Sequence, residues 1–393
     1  MSAGLSGALP APIRPVIAGF AGSRIREVSK IGMERPGVTA LWFGEGDRPT
    51  PRFICDAAAQ ALAAGRTYYT SNSGTPELRQ AIARYAMRLH GQKIVPERVT
   101  VTASGVNALM LIMQALVDPG DNVVMVTPVW PNCADNISVV LGGQVRRIAL
   151  VADERGWRLD LDRLFAACDG RTRAIFVNSP GNPTGWMAGA ADHLALREFA
   201  RKRRIWIVAD EVYERIVYDR ACAPSALDGA SPDDPVIVVN SFSKAWCMTG
   251  WRLGWIVHPQ ALGETLAKLN EVNMSGPAMF AQDAGTVAIE QGEGFIREIV
   301  DDYRRAREVV VQRLGAMPRV RLARPEAAFY AFFRVDGMTD SLATAKQVLD
   351  RANVGLAPGV AFGPEGEGWL RLCFATSPQR LSDALDRLAP AFA

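Results

Sequence analysis

The densest grouping of chemically capable side chains lies in the stretch VVNSFSKAWCMTGWRLGWIV, which places Ser241, Ser243, Lys244 and Arg252 around a turn after a strand-like run. A lone lysine in such a turn is ordinarily a solvated loop residue, but this one has companions. Asp210 closes the apolar run IWIVAD, Asn182 sits in NSPGNPTG, and Tyr213 follows in DEVYERIVYD. Both runs read as strands of one sheet, so these groups converge on a single sheet edge. A lysine forms a Schiff base with an aldehyde cofactor, and a carboxylate keeps a pyridine nitrogen protonated so that the ring stabilises a substrate carbanion. Lys244 and Asp210 suit those two roles. Asn182 and Tyr213 would hydrogen-bond a phenolic oxygen of the cofactor. Ser241, Ser243 and Arg252 would hold its phosphate, because the planar guanidinium fork matches phosphate oxygens.

A second anion site is readable upstream, where TASGVNALMLIMQAL passes from a strand through Ser104, Gly105 and Val106 into a helix. Free N–H groups and the dipole at a helix start favour an anion there, although simple turn chemistry gives the same pattern. Trp130, in TPVWPN, follows another strand; its ring could cover a flat cofactor or simply fill the core. No G-x-x-x-x-G-K-[ST] element and no strand-placed G-x-G-x-x-G occurs, so Walker-type and Rossmann nucleotide sites lack support.

The elements that must position these residues follow from hydrophobic spacing. Pro76 to Leu89 and Ala108 to Val117 repeat apolar positions as helices do, and His193 to Arg203 reads likewise. Asn122 to Thr127, Arg173 to Asn178, Ile205 to Ala209, Val236 to Asn240 and Leu253 to Val257 are nearly continuous apolar runs, as expected of strands covered on both faces. Their alternation with helices predicts a mostly parallel α/β sheet with function at its strand ends. Phe280 to Leu314 is a long helical stretch interrupted near Gly292 to Gly294. It leads to strand-like runs around Ala328 to Val335 and Trp369 to Phe374, a change of texture that suggests a smaller α+β domain. Residues 1–15, rich in Ala, Gly, Pro and Ser, read as a loose, flexible N-terminal arm.

With 393 residues, a net charge of +3, 49% hydrophobic and 22% charged residues, the chain has ordinary globular composition and is long enough for two or three domains. Basic residues form no long run, so nucleic acid is a weak candidate partner. Six scattered cysteines and three histidines make no metal-ligand pattern, so no metal is expected. No signal peptide or membrane span is readable, and a reduced, cytoplasmic protein is expected.

These motifs, in this order over residues 40 to 375, resemble the pyridoxal-phosphate-dependent aminotransferases of class I, fold type I, the family that includes aspartate and aromatic aminotransferases. The matching segments are FGEGDRPTP, YYTSNSGTPELRQAI, TASGVNAL, TPVWPN, NSPGNPTG, ADEVYERI, SFSKAWCMTGWRLGW, PEAAFYAFF and WLRLCFA. The resemblance implies pyridoxal 5'-phosphate as cofactor and a large domain, residues 49–279, built on a mostly parallel seven-stranded sheet. The smaller α+β domain would take residues 16–48 and 280–393. It makes Lys244 the Schiff-base lysine, Asp210 the ring-nitrogen partner, and Asn182 with Tyr213 the contacts to the phenolic oxygen. Trp130 would stack on the ring. The amides of Ser104, Gly105 and Val106 would join Ser241, Ser243 and Arg252 at the phosphate. Tyr69 would reach that phosphate from the other subunit of a homodimer. Arg371 would clamp the α-carboxylate of an amino acid or 2-oxo acid substrate, helped by the Gly44 backbone and Asn182, in a ping-pong transfer.

Two departures stand out. Ala327 replaces a glycine that many relatives carry, which bears on the local turn. Aspartate-specific relatives place an arginine for the distal carboxylate before a Ser-Asn-Pro segment. Here Glu271 falls near that position ahead of Ser275 to Pro277, so dicarboxylate preference loses support. A carbon–sulfur β-lyase of the same fold would use the same lysine, aspartate and arginines. A non-enzymatic, ligand-sensing regulator would carry a winged-helix domain ahead of the fold, and the motifs begin too early in this chain to leave it room.

Overall fold

A computed structural model describes residues 12–153 and 156–392. Of the expected arm, residues 1–11 lie outside this range; the remainder leads into a helical turn at Pro15–Ala18.

The middle of the chain builds a seven-stranded sheet in the spatial order Val99–Thr102, Gly254–Val257, Val236–Ser241, Trp206–Asp210, Thr172–Asn178, Asn122–Thr127 and Gln144–Ala149. Only Gly254–Val257 runs antiparallel to its neighbours; the other pairings are parallel. The inner strands are almost wholly buried, with continuous apolar centres, because helices cover both faces. One face packs against Gly105–Leu116 and Gly263–Met274 through Leu111, Ile112 and Leu266. The other belongs to the main core with Ile82, Tyr85 and Ala288. The helix Pro76–His90 begins on proline and ends at Gly91 with φ +65°, the left-handed conformation that suits glycine at a helix end.

The long helical stretch is two helices, Met279–Gln291 and Glu293–Gly315, broken at Gly292. A side chain at Gly292 would press on the Ala288 carbonyl and the Trp246 ring. Beyond it, Val320–Leu322, Tyr330–Val335, Trp369–Cys373 and Ala357–Pro358 form an antiparallel four-stranded sheet. Thr39–Ala40 pairs with Val354–Gly355 in a separate two-stranded sheet, and the Cys373 amide donates to the Leu41 carbonyl at 3.0 Å, which ties the early chain to the four-stranded sheet. At the departure from the family pattern, Ala327 takes an isolated bridge to Val217, and Ala328 adopts φ +56°.

Candidate active site

Parallel strands deliver their carboxyl ends to one edge, and the loops that follow carry the chemistry. Asp210 ends its strand; Ser241 ends the next, and Phe242–Ala245 forms a single helical turn. Ser243 and Lys244 therefore sit on a short helix rather than in an open turn. The reason is local: the Ser241 side chain accepts from the Ser243 amide at 3.1 Å and caps that turn. Arg252 follows with φ +52° and leans on the Thr249 carbonyl.

A cavity of about 580 Å³ gathers these groups. Its walls include Gly44, Gly105, Val106, Trp130, Asn182, Asp210, Tyr213, Ser241, Ser243, Lys244, Arg252 and Arg371, all named from the sequence. Asn178, which sequence reading passed over, knits two of its walls. Its Oδ1 accepts from the Asn182 amide at 2.8 Å and its Nδ2 donates to the Asp210 carbonyl at 3.1 Å. The Trp130 amide donates to the Asn182 carbonyl at 3.0 Å, fixing the third loop.

Lys244 Nζ donates to the Gly44 carbonyl, and burial pulls its pKa down to about 8. Asp210 is buried and, among the described residues, only the Val212 amide, at 3.3 Å, donates to its carboxylate; burial pushes its pKa up to about 7. A buried carboxylate so sparsely served calls for a donor from outside the chain. Arg371, itself buried, donates from Nη1 to Asn182 Oδ1 at 2.9 Å and from Nη2 to the Trp42 carbonyl. Its Nε has no partner among the described residues. Tyr213 and Tyr330 share a hydrogen bond at 2.6 Å, and burial raises both phenols well above the ordinary tyrosine range.

The anion end is built around the helix Gly105–Leu116. The Asn107 amide donates to the Ser104 side chain at 3.2 Å, and the Ala108 amide makes the helix's first backbone bond, to the Ser104 carbonyl at 3.0 Å. The amides of Gly105 and Val106 remain, and both residues line the cavity. Ser104 contributes its hydroxyl to the cap. The cradle depends on Gly254 in the antiparallel strand. A Cβ there would stand 2.7 Å from the Gly105 nitrogen and the Ser104 carbonyl carbon.

Tyr69 is not brought to this cavity. It is 89% exposed, beside a surface groove shared with Tyr68 and Ser275–Phe280. Glu271 is exposed and accepts from Asn72 Nδ2 at 2.8 Å, so it lies outside the cavity. A larger groove of about 720 Å³ passes Arg48, Thr50, Cys55 and Trp251 and holds none of the convergent groups described above.

Besides Asn178, sequence reasoning passed over Tyr330, Phe43 and Arg26 among the lining residues. Tyr330 was hidden in an apolar run. Phe43 and Arg26 line the mouth of the cavity, and the Arg26 guanidinium lies 4.8 Å from the Phe43 ring centroid. Arg26 makes no ion pair among the described residues, whereas its neighbour Arg24 is held by Glu27 at 3.0 Å. The spacing of Ser23, Ile25 and Val28 marks the start of an amphipathic helix, Arg24–Met33, and was the available signal.

The donor set fits a phosphorylated pyridine aldehyde: amides, serines and Arg252 for the phosphate, Asp210 for a ring N–H, Asn182 and Tyr213 for an oxygen, and a partly neutral Lys244 for the aldehyde. Comparison with known proteins agrees. The profile of the family described as Aminotransferase class I and II matches residues 38–388. The aspartate aminotransferase of Pyrococcus horikoshii is 34% identical over 94% of each chain. A probable aspartate/prephenate aminotransferase of Aquifex aeolicus is 34% identical over 90% of this chain and 91% of its own. Among solved structures, a single mutant of the Thermus thermophilus aspartate aminotransferase superposes with a TM-score of 0.89. That chain is 32% identical, and the match covers 97% of this chain and 100% of the other.

Proposed function

The chain belongs to the class I and II aminotransferases, pyridoxal-phosphate-dependent enzymes of fold type I, and from that premise we propose how its own residues carry the reaction. The observation that carries the reading is the convergence of Lys244, Asp210, Asn182, Tyr213, Arg252 and Arg371 on one cavity. The amino group passes from an α-amino acid to a 2-oxo acid in two half-reactions of a ping-pong cycle.

Pyridoxal phosphate, when bound, supplies an aldehyde carbon and a ring that draws electron density from the substrate Cα. Lys244 anchors it covalently and then moves the proton at Cα; a pKa near 8 gives it a substantial free-base fraction at neutral to mildly alkaline pH. Asp210 holds a proton on the ring nitrogen. Asn182 and Tyr213 would donate to the cofactor's phenolic oxygen, and Trp130, which lines the same cavity, would cover its ring. The phosphate is held by the amides of Gly105 and Val106, the Ser104–Gly105 turn, Ser241, Ser243 and Arg252. Arg371 and Asn182 grip the α-carboxylate beside the Gly44 backbone, which orients the Cα–H bond as well as adding affinity.

The seven-stranded sheet lies within residues 49–279 and the four-stranded sheet within 280–393, which supports reading these as the large and small domains, the latter joined by 16–48. We propose a homodimer in which Tyr69 completes the partner's phosphate site. Its support is the exposure of Tyr68 and Tyr69 together on one groove, a surface that soluble monomers rarely leave open. No described helix is long and apolar enough to cross a membrane, and all six cysteines are free, which supports a reducing, cytoplasmic setting.

Glu271, whose position counted against dicarboxylic substrates, lies outside the cavity; the relatives named for aspartate and Arg26, which makes no ion pair among the described residues and lines the cavity, favour dicarboxylic amino acids. The test is a panel of amino acids, each mixed with the purified holoenzyme while the cofactor absorbance is followed through one half-reaction. Conversion to an amine-carrying cofactor with release of the matching 2-oxo acid is expected. Release of pyruvate and sulfide or ammonia instead would establish a lyase.

A further inference from the structure

Tyr330 touches three parts of the site. Its hydroxyl lies 2.6 Å from that of Tyr213, and its ring lies under the Arg371 guanidinium, 4.6 Å from centroid to carbon. Its hydroxyl also fills the space above Gly44, where a Cβ would stand 2.1 Å from it. Gly44 in turn presents the carbonyl that accepts from Lys244 Nζ.

Strand register explains the placement. Tyr330 stands opposite Cys373 and Phe332 opposite Arg371, so Tyr330 and Arg371 are diagonal neighbours on one face of the antiparallel pair. The Tyr213 ring meets the Tyr330 ring edge-on, with centroids 5.7 Å apart and planes at 79°. Tyr330 is fully buried, so its hydroxyl needs a partner, and among the described residues Tyr213 is the one it has.

A tyrosine hydroxyl carries one proton and two lone pairs. When Tyr330 donates to Tyr213, the Tyr213 proton is left to point into the cavity, and the received hydrogen bond strengthens it as a donor. We propose that Tyr330 is a positioning residue with two separable parts: its hydroxyl aims the Tyr213 proton at the cofactor's phenolic oxygen, and its ring is the shelf that holds Arg371 for the substrate carboxylate. The charged and titratable groups facing this pair are Arg371 and Cys373 from the neighbouring strand, Glu45 from the Gly44 segment, Asp210 ahead of Tyr213, and Lys244, whose Nζ lies 5.7 Å from the Tyr213 ring centroid. None of them is altered by removing one hydroxyl.

The proposal rests on the aminotransferase reading, and its test separates the two. The readout is the pH midpoint of the absorbance change of bound cofactor in the holoenzyme, with substrate kinetics beside it. A donor to an anionic phenolic oxygen favours the deprotonated form, so weakening it raises the midpoint. Tyr330→Phe should raise the midpoint by at least about 0.3 pH unit, and by nothing further in a Tyr213→Phe background. It should leave KM for α-amino acids within about twofold, because the ring remains. Tyr330→Leu should raise that KM at least about tenfold as well.

An unmoved midpoint in Tyr330→Phe overturns the hydroxyl role, and an equal shift in both backgrounds overturns its action through Tyr213. Equal KM values for the Phe and Leu variants overturn the shelf. A parent protein with no absorbance from bound pyridoxal phosphate removes the aminotransferase reading and the proposal with it, whereas a bound cofactor whose absorbance does not change with pH overturns the hydroxyl role alone.

Discussion

Lys244 Nζ donates to the carbonyl oxygen of Gly44, 200 residues earlier in the chain. The contact joins the end of the large sheet to the segment leading away from Thr39–Ala40, which pairs with the small-sheet half of the molecule. The amine thus has a fixed resting direction and, among the described residues, no carboxylate in contact, and burial keeps its proton loosely held.

Replacing Lys244 with Ala should lower turnover by at least about a thousandfold, since one residue serves as covalent anchor and proton carrier. Borohydride should attach the cofactor permanently to the parent and not to the variant. Near-parent turnover in Lys244→Ala would reverse the assignment.

Asp210 makes the cofactor-free protein pH-sensitive. Burial raises its pKa from 3.8 to about 7, so between those values the folded chain holds a proton that the unfolded chain has released. Its contribution to stability therefore falls as pH rises through that window. Lys244 acts in the other direction: lowered from 10.5 to about 8, it contributes stability that rises with pH between those values. Cofactor-free Asp210→Asn should melt at least about 3 °C above the parent near pH 8, with the gap narrowing toward pH 5. A gap independent of pH would show that Asp210 is not the titrating group.

The sequence exposed much of this site because its chemistry sits on strand ends whose apolar runs are unbroken. Asn122–Thr127 is the strand expected, and Thr172–Asn178 begins one residue earlier than its apolar run. Gln144–Ala149 escaped notice because an edge strand need not be apolar on both faces; its arginines are half-buried and Arg146 pairs with Asp169. Tyr330 and Asn178 escaped for a different reason. Their roles depend on contacts made across the fold, between Tyr213 and the second sheet or between two loops, and no spacing within one segment encodes them.

The two ends of the cavity should be separable by mutation. Arg371→Lys keeps the charge and loses the fork, so kcat/KM for every α-amino acid should fall at least about tenfold. Arg26→Gln should instead lower the ratio of kcat/KM for glutamate to that for alanine, by about tenfold. Steady-state kinetics on both variants decides; an unchanged ratio in Arg26→Gln would dissociate that arginine from substrate choice.

Assembly can be tested by complementation. If Tyr69 serves the opposite site, mixing inactive Tyr69→Ala and Lys244→Ala proteins under conditions of subunit exchange should restore part of the activity, because hybrids contain one intact site. Sedimentation should show one species at twice the chain mass. A monomer with full activity would exclude the shared site.

Gly254 has a role that its own atoms do not perform. It opens its strand and offers no side chain, yet the Ser104–Gly105 turn can pack against it only because this position has no Cβ. In a saturation screen scored on growth, position 254 should be as intolerant as Lys244. The two would part under assay: substitutions at 254 should leave the lysine's reactivity toward free pyridoxal in place while weakening retention of the phosphorylated form. The selectivity for a phosphorylated ligand would then be written partly as an empty volume.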